Sequence, residues 1–221
     1  SFPDPSRQAA WQLQAALKDA NVTIALPAAS IRQFPGRKMG PRQVLDRLAS
    51  PTVAAIAQRT NFKSVNLYAE TLLREINKSR GREEHELGDA TLVLEHLEQL
   101  DIDITGVQLL DGSGLGTRNF FPPAFMTAFL RAKQNDEIFR NTIPVAGRSG
   151  SMRHRLKGTS AVGRLYSKSG SLNSARGYAG YAFPADGRKL AFCIMINNYT
   201  ATAKKVNRLL LDFQLLLCQS K

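Results

Sequence analysis

Apolar positions follow helical spacing through most of the chain and strand-like runs near its end. Asp4-Pro5 reads as an N-cap with proline at the first helical position. Trp11, Leu13, Ala16 and Leu17 carry that helix to about Ala20, and Asn21 suits its exit. Val22-Thr23-Ile24 predicts a short strand, and residues 27–40 read as a loop rich in proline, glycine and basic side chains. Val44 to Ala49 predicts another strand. Ser50-Pro51 starts a short helix through Ala57, interrupted at Asn61 to Lys63. A helix from about Asn66 to Asn77 puts Leu67, Thr71 or Leu72, and Ile76 on one face and leaves Ser64 and Asn66 on the loop before it. Glu83 to Leu100 predicts a long helix on Leu92, Leu94, Leu97 and Leu100. Val107 to Leu110 predicts a strand ended by the tight turn Asp111-Gly112-Ser113-Gly114. Pro122-Pro123 opens a helix carrying Phe125, Met126, Phe129 and Leu130, and a shorter one spans Asp136 to Ile143. Residues 147–160 form a polar, basic loop.

The last part of the pattern is the clearest. Arg164 to Ser169, Arg176 to Phe183 and Lys189 to Asn197 predict three strands, the last two joined by a hairpin at Pro184-Ala185-Asp186-Gly187. Ala191 to Ile196 is apolar on both alternating faces, so helices must cover both sides of the sheet. One cover is the final helix, where Val206, Leu209, Leu210, Phe213, Leu216 and Leu217 repeat at i, i+3, i+4 and i+7. The predicted class is α/β, with no internal repeat and no low-complexity tract.

Composition adds limits. At 221 residues with 43% hydrophobic content, one domain or a large part of one is expected, and disorder is excluded. No apolar run approaches the roughly 18 residues of a membrane span. The start at Ser1 lacks the basic and apolar regions of a signal peptide, which fits a cytosolic chain or one whose leader has been removed. The formal charge is +12. That balance favours anionic partners, but the basic residues are dispersed without a long run, which reads first as a solvated surface. A nucleic-acid module lacks its expected helix-turn-helix, zinc or aromatic-basic pattern here. Cys193, Cys218, His85, His96 and His154 show no zinc spacing. The two cysteines fit either one disulfide or two buried thiols, the apolar surroundings favouring thiols.

Candidate chemistry centres on Tyr166-Ser167-Lys168-Ser169-Gly170-Ser171-Leu172. On a strand, Lys168 offers an ammonium, Ser169 a hydroxyl and Gly170 a bare backbone beside which an extended peptide can pair. Upstream lie Ser64-Val65-Asn66-Leu67-Tyr68-Ala69-Glu70, Asp111-Gly112-Ser113-Gly114-Leu115 and Ala146-Gly147-Arg148-Ser149-Gly150-Ser151-Met152; downstream is Tyr178-Ala179-Gly180-Tyr181. Ser-x-Asn followed by Lys-Ser/Thr-Gly gives two of the three elements, in order, of the signature shared by class A β-lactamases and penicillin-binding proteins. In this order the segments resemble, through nearly the whole chain, the D-alanyl-D-alanine carboxypeptidase/endopeptidase family, the class C low-molecular-mass penicillin-binding proteins. Val65 stands where that family has Asp, and Ser169 where it has Thr. The third element, Ser-x-x-Lys, is missing: no serine here has lysine three residues later.

The resemblance implies a penicillin-recognising fold, an antiparallel sheet between helices, with residues 1–221 as the C-terminal part of one D,D-peptidase domain whose first strands and nucleophile helix are absent. It implies a serine D,D-peptidase that cuts beside D-Ala in peptidoglycan peptides through an acyl-enzyme, the nucleophile coming from a segment outside this chain. Lys168 then attracts the substrate's terminal carboxylate and Ser169 hydrogen-bonds it. Ser64 relays a proton to the leaving D-Ala nitrogen, Asn66 orients the acyl-side amide, and Gly170 and Ser171 border the substrate, with the Ser171 N–H in the oxyanion hole. Asp111 and Ser113 read as turn formers, Arg155 and Arg176 as exposed structural residues, and Tyr68 and Glu70 as supporting residues behind the site. No cofactor is implied. Peptidoglycan peptide and β-lactams are the implied partners, nucleic acid is not, peripheral association with membrane or wall is compatible, and the location is periplasmic or otherwise extracytoplasmic. The alternative is a non-catalytic relative that binds cell-wall peptide without a nucleophile.

Overall fold

The computed structural model describes residues 4–34, 43–44, 46–83, 85 and 88–220, in two compact units, residues 1–49 and 50–221. In the first unit, helix α1 (Pro5–Asp19) starts at Asp4, whose carboxylate accepts from the Arg7 N–H at 3.1 Å, and ends before Asn21 at φ 60°. The Gln14 side chain accepts from the Ala28 N–H at 3.0 Å, and Ser30 Oγ donates to the Asp4 carboxylate. The strand predicted at Val22 to Ile24 does not form: the Val22 N–H closes the exit of α1 on the Leu17 carbonyl at 2.9 Å, and no strand among the described residues pairs with this short stretch. The described residues of 44–49 also form no strand; Leu45 lies outside the described residues, as do residues 35–40 of the predicted loop.

The second unit is built on a three-stranded antiparallel sheet in the order β1 (Leu165–Leu172), β2 (Ala175–Ala182), β3 (Leu190–Asn197). The register pairs Lys168 with Ala179, Ser169 with Tyr178 and Tyr178 with Ile194. Gly180 faces β1 so closely that an added Cβ would sit 2.0 Å from the Tyr166 carbonyl oxygen. Helix α7 (Ala203–Gln219) covers one face, burying Val206, Leu210, Leu211 and Cys218 against Leu165, Tyr178 and Phe192. Helix α5 (Pro123–Ala132) covers the other, where Leu130 and Ile143 pack on Tyr181. The two-sided cover read from the apolar run at residues 191–196 is therefore present. Tyr181 is fully buried, its hydroxyl donating to the Leu130 carbonyl at 2.6 Å, and burial pushes its pKa up to about 12. Cys193 and Cys218 are both free thiols.

Between chain start and sheet lie α2 (Val53–Lys63), α3 (Asn66–Ser79), α4 (Thr91–Glu98) and α6 (Glu137–Asn141). Helix α2 begins at a Thr52 cap and runs unbroken through Asn61, whose side chain donates to Thr142 Oγ1 at 3.0 Å; a tertiary bond absorbs the polarity that suggested a break. The buried positions of α3 are Leu73 and Asn77, while Leu67 and Ile76, expected inside, are exposed. Of the helix expected over Glu83 to Leu100, the described residues form an α-helix at Thr91–Glu98. Asp89 accepts from both the N–H (2.8 Å) and the hydroxyl (2.6 Å) of Thr91, which starts the helix late; Glu84, Glu86 and Leu87 lie outside the described residues. Val107 to Leu110 is not a strand: one isolated bridge pairs Gln108 with Phe120 before the chain turns at Asp111. No described helix is long and apolar enough to cross a membrane.

Candidate active site

Two helix ends and one strand edge make the site. Helix α2 stops at Ser64, which adopts the left-handed conformation (φ 50°, ψ 52°). Val65 is extended, and α3 begins at Asn66. That conformation costs a non-glycine residue roughly 1–2 kcal/mol. Both junction side chains, Ser64 and Asn66, are exposed.

Opposite the junction stands Lys168. Its Nζ donates to Ser64 Oγ at 2.6 Å and to the Ser169 carbonyl oxygen at 2.6 Å. Burial holds its pKa below the ordinary lysine value of 10.5, because the partly desolvated ammonium loses hydration. Strand alternation puts Gly170 on the same face as Lys168. A Cβ added at Gly170 would meet nothing within 4 Å, so this face is open to an incoming group.

β1 is an edge strand, and only its first half is covered. Ala146 N–H donates to the Leu165 carbonyl (2.9 Å) and Ser167 N–H to the Pro144 carbonyl (2.8 Å), so the outer edge is occupied at residues 165–167. Alternation turns the backbone groups of Ser169 and Ser171 to that same edge, past the end of the cover. An extended peptide added there would lie in the plane of the sheet and reach side chains on both faces of β1. This geometry matters for Ser169 and Ser171, whose side chains lie on the α7 side with Ser167. The Ser167 hydroxyl donates to Gln214 Oε1 at 2.6 Å, and Gln214 Nε2 donates to the Leu210 carbonyl at 2.9 Å, a buried pair that ties β1 to α7.

The Asp111 turn closes on α3 from the far side. Glu70, one helical turn after Asn66, accepts from the N–H groups of Ser113 (3.0 Å) and Gly112 (3.3 Å). A Cβ on Gly112 would lie 2.5 Å from the Ala69 carbonyl oxygen, so glycine is required for this approach. Asp111 accepts from Asn119 Nδ2 (2.7 Å) and the N–H groups of Gly116 (2.7 Å) and Gly114. Burial acts to raise the Asp111 pKa, but these hydrogen bonds outweigh it and hold it below the usual carboxylate value. Asp111 and Ser113 are thus turn formers.

Of the expected site residues, the structure brings Ser64 and Lys168 into contact, sets Asn66 beside Ser64, and aligns Gly170 with Lys168. Arg176 is a brace: its Nε donates to Tyr199 Oη at 2.8 Å, and that hydroxyl donates to the Asn173 carbonyl at 3.3 Å. Tyr68, expected to pack, is 40% exposed. Sequence reasoning missed the closing role of Asn119 and the Pro144 cover. The only signal for Asn119 was a polar residue eight positions after Asp111, within reach of a turn.

Residues 1–213 match the D-Ala-D-Ala carboxypeptidase 3 (S13) family. The chain belongs to that family. Carboxypeptidase DacB of Mycolicibacterium smegmatis is 28% identical over 184 residues, covering 79% of this chain and 40% of the relative. D-alanyl-D-alanine carboxypeptidase DacB of Haemophilus influenzae is 30% identical over 181 residues, covering 76% and 37%. The chain spans about two-fifths of the length of these S13 relatives. The crystal structure of penicillin binding protein 4 (DacB) from H. influenzae, complexed with a β-lactam, superposes on 98% of this chain and 51% of its own at 26% identity, with a TM-score of 0.76. A predatory endopeptidase of Bdellovibrio bacteriovorus shares the fold at 16% identity and a TM-score of 0.58, covering 97% and 60%.

Proposed function

We propose that this S13 chain forms the substrate-holding side of a serine D,D-peptidase acting on D-Ala-D-Ala termini or D-Ala cross-links of peptidoglycan peptides. The observation that carries the reading is the Lys168 Nζ–Ser64 Oγ contact of 2.6 Å beside the uncovered edge of β1. The substrate adds to that edge as a strand. Its terminal carboxylate meets the Lys168 ammonium and the Ser169 hydroxyl. The attacking serine belongs to a Ser-x-x-Lys segment outside these 221 residues, so the chain is inactive alone, as the C-terminal part of one catalytic domain. On attack, the carbonyl oxygen takes up negative charge and the Ser171 N–H on the open edge donates to it. Collapse to the acyl-enzyme breaks the bond to the leaving D-Ala nitrogen. The lysine of the Ser-x-x-Lys segment takes the proton of the attacking serine and passes it through Ser64 to that nitrogen, while Lys168 stays charged. Asn66 positions the acyl-side amide, and water then releases the acyl group. β-Lactams acylate the same serine, and the peptidoglycan substrate places the reaction outside the cytoplasm.

The test is release of D-Ala from a peptide ending in D-Ala-D-Ala by the full-length polypeptide. Lys168→Ala should lower kcat/KM on the order of a hundredfold or more, the scale of losing a preorganised charge. Unchanged turnover in Lys168→Ala would remove the reading.

A further inference from the structure

The formal +12 of the chain is not spread evenly. Residues 138–221 carry fourteen Lys and Arg against two acids, Asp186 and Asp212, whereas residues 1–137 hold sixteen of each sign. The whole excess therefore belongs to the segment that contains the sheet and α7. Within it, Arg155 and residues between Thr202 and Leu211 line a solvent-open hollow of about 440 Å³ beside the first turns of α7. Arg155, Lys204, Lys205 and Arg208 line it, with Thr202 and Asn207 between them. Arg208 is bridged to Asp212 at 3.0 Å. Among the described residues, no carboxylate reaches Arg155, Lys204 or Lys205. Asn207 spends its Oδ1 on the Tyr178 hydroxyl (2.7 Å), which leaves its amide N–H groups as donors.

We propose that this hollow binds a polymer of phosphodiester units, seating its phosphates between Arg155 and the cations of α7. Converging cations with unspent charge in one concavity recognise closely spaced anions, and guanidinium forks and ammonium groups both suit phosphate oxygens. Three features select the polymer. No aromatic ring lines the hollow, so it offers no platform for stacked bases, which disfavours nucleic acid. The site is concave and takes a chain more readily than a flat lipid surface. Tyr178, which stands opposite Ser169 in the β1–β2 register, donates to Asn207 of the hollow and so links it to the strand that carries the proposed substrate edge. A phosphate polymer held there would keep the protein beside its wall substrate, and in that respect the proposal rests on the peptidase reading.

Binding is measured on the full-length polypeptide in the absence of peptide substrate and without turnover, so it succeeds or fails independently of that reading. The probe is a short oligo(glycerol phosphate), titrated calorimetrically at low and at physiological salt. Saturable binding that weakens with salt is expected. The pair Arg155→Ala and Lys205→Ala should weaken it about tenfold or more, while the equally charged control pair Arg188→Ala and Lys189→Ala should change it less than about twofold; melting curves verify that both fold. Equal losses in the two pairs would mean generic attraction to a basic lobe and would overturn the proposal. So would poly-L-glutamate binding as tightly as the phosphate chain, an oligonucleotide binding more tightly, or binding confined to phosphatidylglycerol vesicles.

Discussion

At Lys168 two demands meet. In the proposed role the ammonium must stay charged to hold a carboxylate, yet it is partly withdrawn from water, which lowers its pKa below 10.5. In the window between the folded and unfolded values the native chain binds fewer protons than the unfolded one. The burial cost is thus fully present below the folded pKa and relieved as pH rises toward the unfolded value. An NMR titration of the lysine ammonium groups should show Lys168 losing its proton at lower pH than the exposed lysines. Carboxylate binding should fall along the same limb. Gly170 makes a complementary residue-scale prediction. Gly170→Ala should leave stability within about 0.5 kcal/mol, since its new methyl meets nothing in the free protein. It should nevertheless depress kcat/KM of the full-length enzyme, because that methyl fills the path of the incoming peptide. Denaturant melts and D-Ala release read the two effects separately.

Among elements, the joint between β1 and α7 sets where Lys168 sits. Ser167 and Gln214 are both fully buried and satisfy one another. Gln214→Leu should cost about 1–3 kcal/mol in a denaturant melt, because the Ser167 hydroxyl loses its partner in a dry site. The double change Ser167→Ala with Gln214→Leu should recover much of that loss; additive losses would mean the pair does not act as a unit. The final helix and three strands were legible because their apolar spacing is long and unambiguous. Elements that failed did so for local reasons. Val22 to Ile24 has strand composition but no strand to pair with among the described residues, and the turn in which Asp89 accepts from Thr91 overrode the apolar pattern that suggested a longer α4. The site was legible as motifs, since Lys168-Ser169-Gly170 lies on a strand and Ser64 and Asn66 flank a helix start. Its geometry was not: the Lys168–Ser64 bond joins residues 104 positions apart, and no periodicity encodes that. Nor could motif spacing show that β1 is covered only as far as Ser167.

Across the molecule, charge and topology are arranged together. The basic excess is confined to residues 138–221, which include the sheet and α7, while residues 1–137 are balanced. Reading charge along the chain found only dispersion, because Arg155 is separated in sequence from the Lys204, Lys205 and Arg208 that it meets at the start of α7. The central claim is that Ser64, Asn66 and Lys168 complete an acylation site whose nucleophile lies elsewhere in the polypeptide. The most direct test is to react the full-length polypeptide its gene encodes with a fluorescent penicillin and map the labelled peptide. The account predicts label on the serine of a Ser-x-x-Lys outside residues 1–221, lost or strongly slowed in Lys168→Ala. Label on Ser64 or another serine of this chain, or no covalent label at all, would contradict it.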